Sequence, residues 1–334
     1  MKKIAYLGTG AWGFCLARLL AKKGHQITAW SIETELLKEL SKTKEHPYLK
    51  GLPIQGEVSF TEDLEKALSD CDVIIESVSA GGVRPVFEQI QKIGIEKNIP
   101  IVMTSKGIEQ HSDLILSDVV LEVLGEEFRH SISSFSGPSF AFELAHELPT
   151  ACVVTGYNHE VVETIRKLFT TPFLRVYPCY DVRGVAFGGA MKNIIAIACG
   201  IAEGMNAGSG AKAALITRGL HEIVKLAVAA GAQAQTLYGL SGMGDLVLTC
   251  SSPLSRNYRF GELLSKNIPP EEAKKEIGMV VEGAYSVISA TELAKKHNVP
   301  MPISEGILAI IEGKTTPQKA LDALMKRKVK EEAL

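Results

Sequence analysis

The chain has 334 residues, 46% hydrophobic and 22% charged, the composition of a folded globular protein of about two domains. That apolar content excludes disorder as the main state. Thirty-eight acidic residues against 36 Lys and Arg leave a formal charge of −2. No global basic field is therefore available to hold nucleic acid or an anionic membrane, and any bound anion must be held by a few local charges.

Met1-Lys2-Lys3 leads into an apolar run of only residues 4–7 before Gly8, so no signal-peptide core is expected. The longest apolar stretch elsewhere, residues 194–202, falls short of the roughly 20 residues of a spanning helix. Six cysteines, at 15, 71, 152, 179, 199 and 250, are scattered without a CxxC, and the eight histidines are dispersed. This pattern is read as small buried thiols in a reducing cytoplasm, with no metal site.

The first 178 residues alternate β-rich runs with helical periodicity. Strands are expected at 3–7, 26–30, 72–78, 100–104, 131–135, 151–155 and 173–177, with helices at 11–23, 34–41, 83–91, 113–124 and 159–169. Alternating strand and helix implies a doubly wound α/β, Rossmann-type parallel sheet with helices on both faces. Beyond Asp181 the strand signal stops. Long apolar helices are expected at 185–205 and 212–230, and further helices at 254–265, 283–297, 303–312 and 317–325. The expected division is a dinucleotide-binding domain at 1–180 and an all-α domain at 181–334. The charge run 326–332 reads as a solvated helix end.

Gly8-Thr9-Gly10-Ala11-Trp12-Gly13 is a GxGxxG between the first strand and the first helix. Glycines there serve a tight turn, close approach of a pyrophosphate and helix-to-strand packing, and the helix N-terminus attracts the phosphates. The second strand ends in Ala29-Trp30-Ser31-Ile32. Glu33 lies just past the position where an acid would bind the ribose of NAD, and no arginine stands there for a 2′-phosphate. NAD and NADP both remain open.

Thr104-Ser105-Lys106-Gly107 and Ser136-Gly137-Pro138-Ser139-Phe140-Ala141 fall at carboxyl ends of strands, the edge where ligands bind in open α/β sheets. Lys106 is either a surface lysine or a site residue. Lys192 sits in a helix apolar nearly all round, so it must be paired, face a wet cavity, or snorkel to a helix end. Partial desolvation there would tune it for general acid/base work. Asp245, between Gly244 and an apolar run, could cap its helix, pair with a lysine or accept a substrate hydroxyl. Ser255-Arg256-Asn257 at a helix start suits a phosphate or carboxylate.

The segments MKNIIAIACGIAEGM (191–205), KAALITRGLHEI (212–223), LSGMGDLVLTCSSPLSRNYRFG (240–261) and VVEG (280–283) together resemble the bacterial, soluble NAD(P)-dependent glycerol-3-phosphate dehydrogenases, over nearly the whole chain. The resemblance implies reversible reduction of dihydroxyacetone phosphate to sn-glycerol 3-phosphate, a glycerophospholipid precursor, by a cytoplasmic homodimer. It implies Lys192 as proton donor/acceptor and Lys106 in contact with cofactor and substrate. It further implies substrate contacts from Gly137, Ser139, Asp245, Ser255, Arg256 and Asn257, and cofactor contacts from Gly8, Gly10, Ala11, Trp12, Gly13, Ala141, Arg256, Val280 and Glu282. Three stretches depart from the family pattern: Ser31-Ile32, where many relatives carry glycine or alanine and then arginine; Ala207-Gly208-Ser209-Gly210-Ala211; and Ser79, in place of a proline. Another β-hydroxyacid-type dehydrogenase and a redox-sensing binding protein are the competing readings.

Overall fold

The computed structural model describes residues 1–329 and 331. Eight strands form one sheet: β1 (Lys3–Leu7), β2 (Gln26–Trp30), β3 (Val58–Thr61), β4 (Val73–Glu76), β5 (Ile101–Met103), β6 (Ile132–Ser136), β7 (Thr150–Gly156) and β8 (Leu174–Cys179). Their spatial order is β3-β2-β1-β4-β5-β6-β7-β8. The order reverses beside β1, which makes the crevice at the carboxyl ends of β1 and β4 the natural ligand position.

Two features of the sheet differ from the expectation. Strand β3 is an extra edge strand; it is short and only half-buried, so its apolar signal is weak. Strand β7 runs antiparallel to β6. Residues 137–149 link them and contain only the five-residue helix α6 (Ala141–Ala145), not the long crossover helix usual between parallel neighbours.

Helices α1 (Ala11–Lys22), α2 (Thr34–Thr43), α3 (Leu64–Leu68), α4 (Val83–Ile93), α5 (Leu116–Leu124), α6 (Ala141–Ala145) and α7 (His159–Phe169) flank the sheet. One face buries Phe14, Leu20, Phe135 and Phe169. The other buries Phe87, Ile90, Val119 and Val120. Helix α5 begins three residues later than its periodicity indicates, because His111 and Asp113 hold positive φ and Ile108 pairs with Ile115 in an isolated bridge.

After β8 the described residues contain helices and no strand: α8 (Val182–Gly204), α9 (Gly208–Ala229), α10 (Ala234–Leu237), α11 (Asp245–Cys250), α12 (Arg256–Ser265), α13 (Pro270–Ile277), α14 (Glu282–Lys296), α15 (Pro302–Ile311) and α16 (Pro317–Met325). The departure at Ala207–Ala211 forms the exposed start of α9. The charge run follows α16 and is exposed and non-helical at 326–329; 330 and 332 lie outside the described residues.

Helix α8 is the hub of this half. Its 23 residues are long and apolar enough to cross a membrane, which the uninterrupted apolar run alone did not indicate. Yet 94% of its most apolar window is buried inside the molecule, against α9, α11, α12 and α14. Glu222 of α9 ties the periphery to this core. Its buried carboxylate accepts the Ile303 N–H at 2.6 Å, the Ser304 N–H at 3.1 Å and the Ser304 hydroxyl at 3.0 Å, capping α15 from another helix. Burial pushes that carboxyl up to about 7.

Candidate active site

The glycine turn performs three separate tasks. Gly8 has φ +102°, and a Cβ there would sit 2.5 Å from the Ser77 carbonyl oxygen of the β4 loop. A Cβ on Gly13 would collide with the Gly8 carbonyl, so α1 packs on β1 only through glycine. Gly10 faces open space, with no atom within 4 Å of an added Cβ. No side chain caps α1, leaving the first-turn N–H groups at Ala11 and Trp12 free for an anion. Trp12 stacks on Phe135 at 6.5 Å, and Ala141 opens α6 beside it. The geometry fits a dinucleotide pyrophosphate. At the end of β2 the Ser31 hydroxyl accepts the Glu33 N–H at 3.1 Å, while Ile32 is 80% exposed.

A buried triad of charges joins the sheet domain to the helical one. Asp245, at 0% exposure, accepts Lys192 Nζ on Oδ1 at 2.5 Å and Lys106 Nζ on Oδ2 at 2.6 Å. Lys106 also donates to the Gly137 carbonyl at 3.2 Å. One carboxylate thus joins a lysine from the sheet domain to a lysine from α8, leaving one net positive charge beside the crevice. The local backbone makes this approach possible. The chain widens into a helical turn at Leu240–Gly244, with the Gly244 N–H bonded to the Gly239 carbonyl at 3.1 Å. A side chain on Gly188 would collide with the Ser241 carbonyl, so α8 admits that turn only through glycine. Thr249 steadies Asp245 by donating to its backbone carbonyl at 2.6 Å.

Lys192 lies mid-helix with its side chain 10% exposed, so it is paired and does not snorkel. Burial is the largest influence on its acidity and pushes it down. Asp245 opposes that shift, Lys106 reinforces it, and the net value is about 8. An amine so tuned exchanges protons near neutral pH.

The Ser-Arg-Asn cluster opens α12. Ser255 caps the helix by accepting the Tyr258 N–H at 3.2 Å, so its hydroxyl proton remains available to an acceptor. Asn257 Oδ1 accepts the Gly283 N–H at 2.9 Å, which joins this cluster to the VVEG loop and leaves the Asn257 amide N–H groups free to donate. Burial lowers the Arg256 guanidinium from its usual value, and Glu282 pulls it back. Burial likewise raises the Glu282 carboxyl, and the Arg256 charge and the Ala80 backbone N–H draw it down. Glu282 therefore links α14 to the β4 loop of the other half. Val280 is 45% exposed beside it. Ser139 donates to the Gly137 carbonyl at 3.2 Å, at the same turn that receives Lys106.

Lys106, Asp245 and Lys192 are thus joined across the two halves, while Arg256, Asn257 and the Glu282 loop form a second group that meets the β4 loop at Ala80. Two neighbours of Lys106 were not singled out in the sequence. Ser105 and Glu76 stand directly behind Lys106, and the signal for Glu76 was an acid ending the otherwise apolar DVIIE strand. No group of His, Cys, Asp or Glu among the described residues is arranged to hold a metal ion.

A glycine turn of the kind that cradles a dinucleotide pyrophosphate, in a sheet domain joined to a helical one, together with a buried lysine–carboxylate–lysine set, marks the class of dinucleotide-dependent oxidoreductases. Comparison with known proteins gives the particular family. Residues 3–162 match the family model of the NAD-dependent glycerol-3-phosphate dehydrogenase N-terminus, and residues 181–322 that of its C-terminus. The chain is similar to glycerol-3-phosphate dehydrogenase [NAD(P)+] of Protochlamydia amoebophila, at 58% identity over 100% of both chains. The Chlamydia felis protein of that description is 46% identical over 100% of this chain and 99% of its own. The crystal structure of glycerol-3-phosphate dehydrogenase from Coxiella burnetii superposes with a TM-score of 0.93 at 35% identity, covering 98% of this chain and 99% of that one. The chain belongs to the NAD-dependent glycerol-3-phosphate dehydrogenase family.

Proposed function

We propose that this chain reduces dihydroxyacetone phosphate to sn-glycerol 3-phosphate with NADH or NADPH, reversibly, and so supplies glycerophospholipid synthesis. The observation that carries the proposal is Asp245 held between Lys106 and Lys192, contributed by different halves of the molecule. A nicotinamide cofactor bound at the glycine turn supplies hydride to the ketone carbon. Gly8, Gly10, Ala11, Trp12 and Gly13 hold its pyrophosphate, with Ala141, Val280, Glu282 and Lys106 along the rest of the crevice. Negative charge then grows on the carbonyl oxygen. Lys192 donates a proton to that oxygen, and Lys106 stabilises the charge electrostatically. Asp245 aims both ammonium groups and holds them apart from bulk water.

Arg256 grips the substrate phosphate, with hydroxyl and amide donors from Ser255 and Asn257, and also borders the cofactor. Gly137 and Ser139 shape the near wall of the substrate site. Phosphate held at a distance positions the reacting carbon. Arg256→Ala is expected to raise the Michaelis constant for dihydroxyacetone phosphate by the loss of about 1.5–3 kcal/mol. Non-phosphorylated dihydroxyacetone should show no matching loss. Equal losses for the two ketones would refute a phosphate grip.

The loop after β2 supports a preference for NADH. Glu33, Glu35 and Glu62 surround the end of β2, and Lys38 in the same helix is paired with Glu35 at 2.7 Å. A 2′-phosphate entering there meets carboxylates and no arginine. Steady-state reduction of dihydroxyacetone phosphate with each cofactor tests both statements: activity establishes the reaction, and kcat/KM is expected to be higher with NADH. No turnover despite NADH binding would instead support a redox-sensing role, and turnover of other 2-oxo compounds alone a different dehydrogenase. The proposal extends to a functional division at about residue 180, a homodimer as the family resemblance implies, and a cytoplasmic location, which six free cysteines favour. Light scattering on the purified chain tests the dimer.

A further inference from the structure

The mechanism leaves one buried charge at the site unused. Glu76 ends β4 at 0% exposure, and no salt bridge reaches it among the described residues. Burying a carboxylate without a cation is costly, so its hydrogen bonds must hold it in place. Its Oε1 accepts the Val78 N–H at 2.7 Å, and its Oε2 accepts the Ser105 hydroxyl at 2.6 Å. Its backbone carbonyl accepts both the Thr104 N–H at 2.9 Å and the Thr104 hydroxyl at 2.8 Å. One residue therefore clamps the two positions that precede Lys106, where β5 has ended and the ladder no longer holds the chain.

We infer that Glu76 is a positioning residue for the reaction, acting through Ser105 to aim the Lys106 ammonium at Asp245 and the substrate. This rests on the assignment of Lys106 to the active site. The chemistry favours a carboxylate, because both partners at its oxygens are donors. Ser105 can then give its proton in one direction only, which fixes the rotation of the turn. A neutral acid or an amide offers one acceptor oxygen to the two donors; the Val78 N–H takes it, Ser105 must then accept where it had donated, and its hydroxyl is no longer held in the native direction. Lys106 follows directly in sequence, and its Nζ lies 2.6 Å from Asp245. A displacement of the turn would thus be felt at the reacting carbon, where errors of about 1 Å can cost 10²-fold.

Burial pushes the Glu76 carboxyl up to about 7, and the hydrogen bonds from Ser105 and Val78 hold it from rising further. The titratable groups near it stay protonated in this range: burial drives the Tyr6 phenol of β1 far above its usual value, and the Cys15 thiol of α1 up to about 12. Lys106 is the charged group next in the chain.

The test uses the full-length protein and the variants Ser105→Ala and Glu76→Gln. Ser105→Ala deletes only the linking hydroxyl and carries the test should Glu76→Gln fold poorly. Both are expected to bind NADH as the native protein does, by fluorescence titration. Both should lose about 10- to 100-fold in kcat/KM for dihydroxyacetone phosphate, and the double variant should lose no more than the worse single one. The ratio of native to variant kcat/KM should fall as pH drops through about 7, because only in the native protein are carboxylate and Ser105 hydroxyl both present, so only there does protonation of Glu76 reach Lys106; the substrate's own phosphate titration cancels in that ratio. Native-like kcat/KM in Ser105→Ala, or a ratio flat with pH, overturns the inference. A native protein inactive on dihydroxyacetone phosphate overturns the function instead.

Discussion

Lys192→Ala is expected to lower the turnover of dihydroxyacetone phosphate reduction by roughly 10²–10⁴-fold while NADH still binds. Removal of a positioned general acid forces the developing alkoxide to take its proton from water. The native pH dependence follows from the same residue. Reduction needs the ammonium, so its rate should be high below about pH 8 and fall above it; oxidation of glycerol 3-phosphate needs the free amine, so its rate should rise through about pH 8. Both limbs should vanish in Lys192→Ala. Stopped-flow and steady-state rates in both directions, across neutral to alkaline pH, check this. A variant with near-native turnover would remove Lys192 from the chemistry.

The second large effect is structural. Helices α8 and α12 cross at Gly200, where an added Cβ would overlap the Tyr258 carbonyl oxygen and lie 3.1 Å from the Glu262 amide nitrogen. Backbone cannot rotate away as a side chain can. Gly200→Ala gains about 1 kcal/mol in helix propensity but forces the two helices apart. The net expectation is a destabilisation of about 3–5 kcal/mol, seen as a fall in melting temperature of roughly 6–20 °C. Because α12 carries Arg256 at its start, the surviving folded fraction should also bind substrate phosphate less well. Gly210→Ala, in the first turn of α9 with nothing within 4 Å of the new methyl, is the control. It should be neutral or stabilise by up to about 1 kcal/mol. A Gly200→Ala protein as stable as the Gly210→Ala control would mean that the crossing is looser than described.

The parts legible in the sequence share one property: their signals are local. The GxGxxG is a contiguous six-residue pattern, so its position between strand and helix is sufficient to read it, although the Ser77 carbonyl that also demands Gly8 comes from a distant loop. Buried strands such as 26–30 and 101–103 and the long apolar α8 announce themselves by composition. The parts that were not legible depend on neighbours distant in the chain. Strand β3 exists because β2 offers an edge, and the direction of β7 is set by its pairing with β6 and β8. Glu76 carries no role within its strand until Ser105 and Val78 are brought against it. The start of α5 moves because the 108–115 loop bridges to itself.

The sequence by itself determined a cofactor-binding sheet, a helical second half, an apolar helix with a lysine in its middle, and a nearly neutral surface that required local anion sites. It left open whether Lys192 is paired, whether Asp245 caps a helix or meets a lysine, and whether Lys106 faces solvent. Only tertiary structure decided these. Lys106 and Lys192 lie 139 and 53 residues along the chain from Asp245, and no periodicity encodes contact at such separation. Burial then decides the chemistry, because the same lysine has an ordinary acidity in water and one near 8 when α8, Asp245 and Lys106 enclose it.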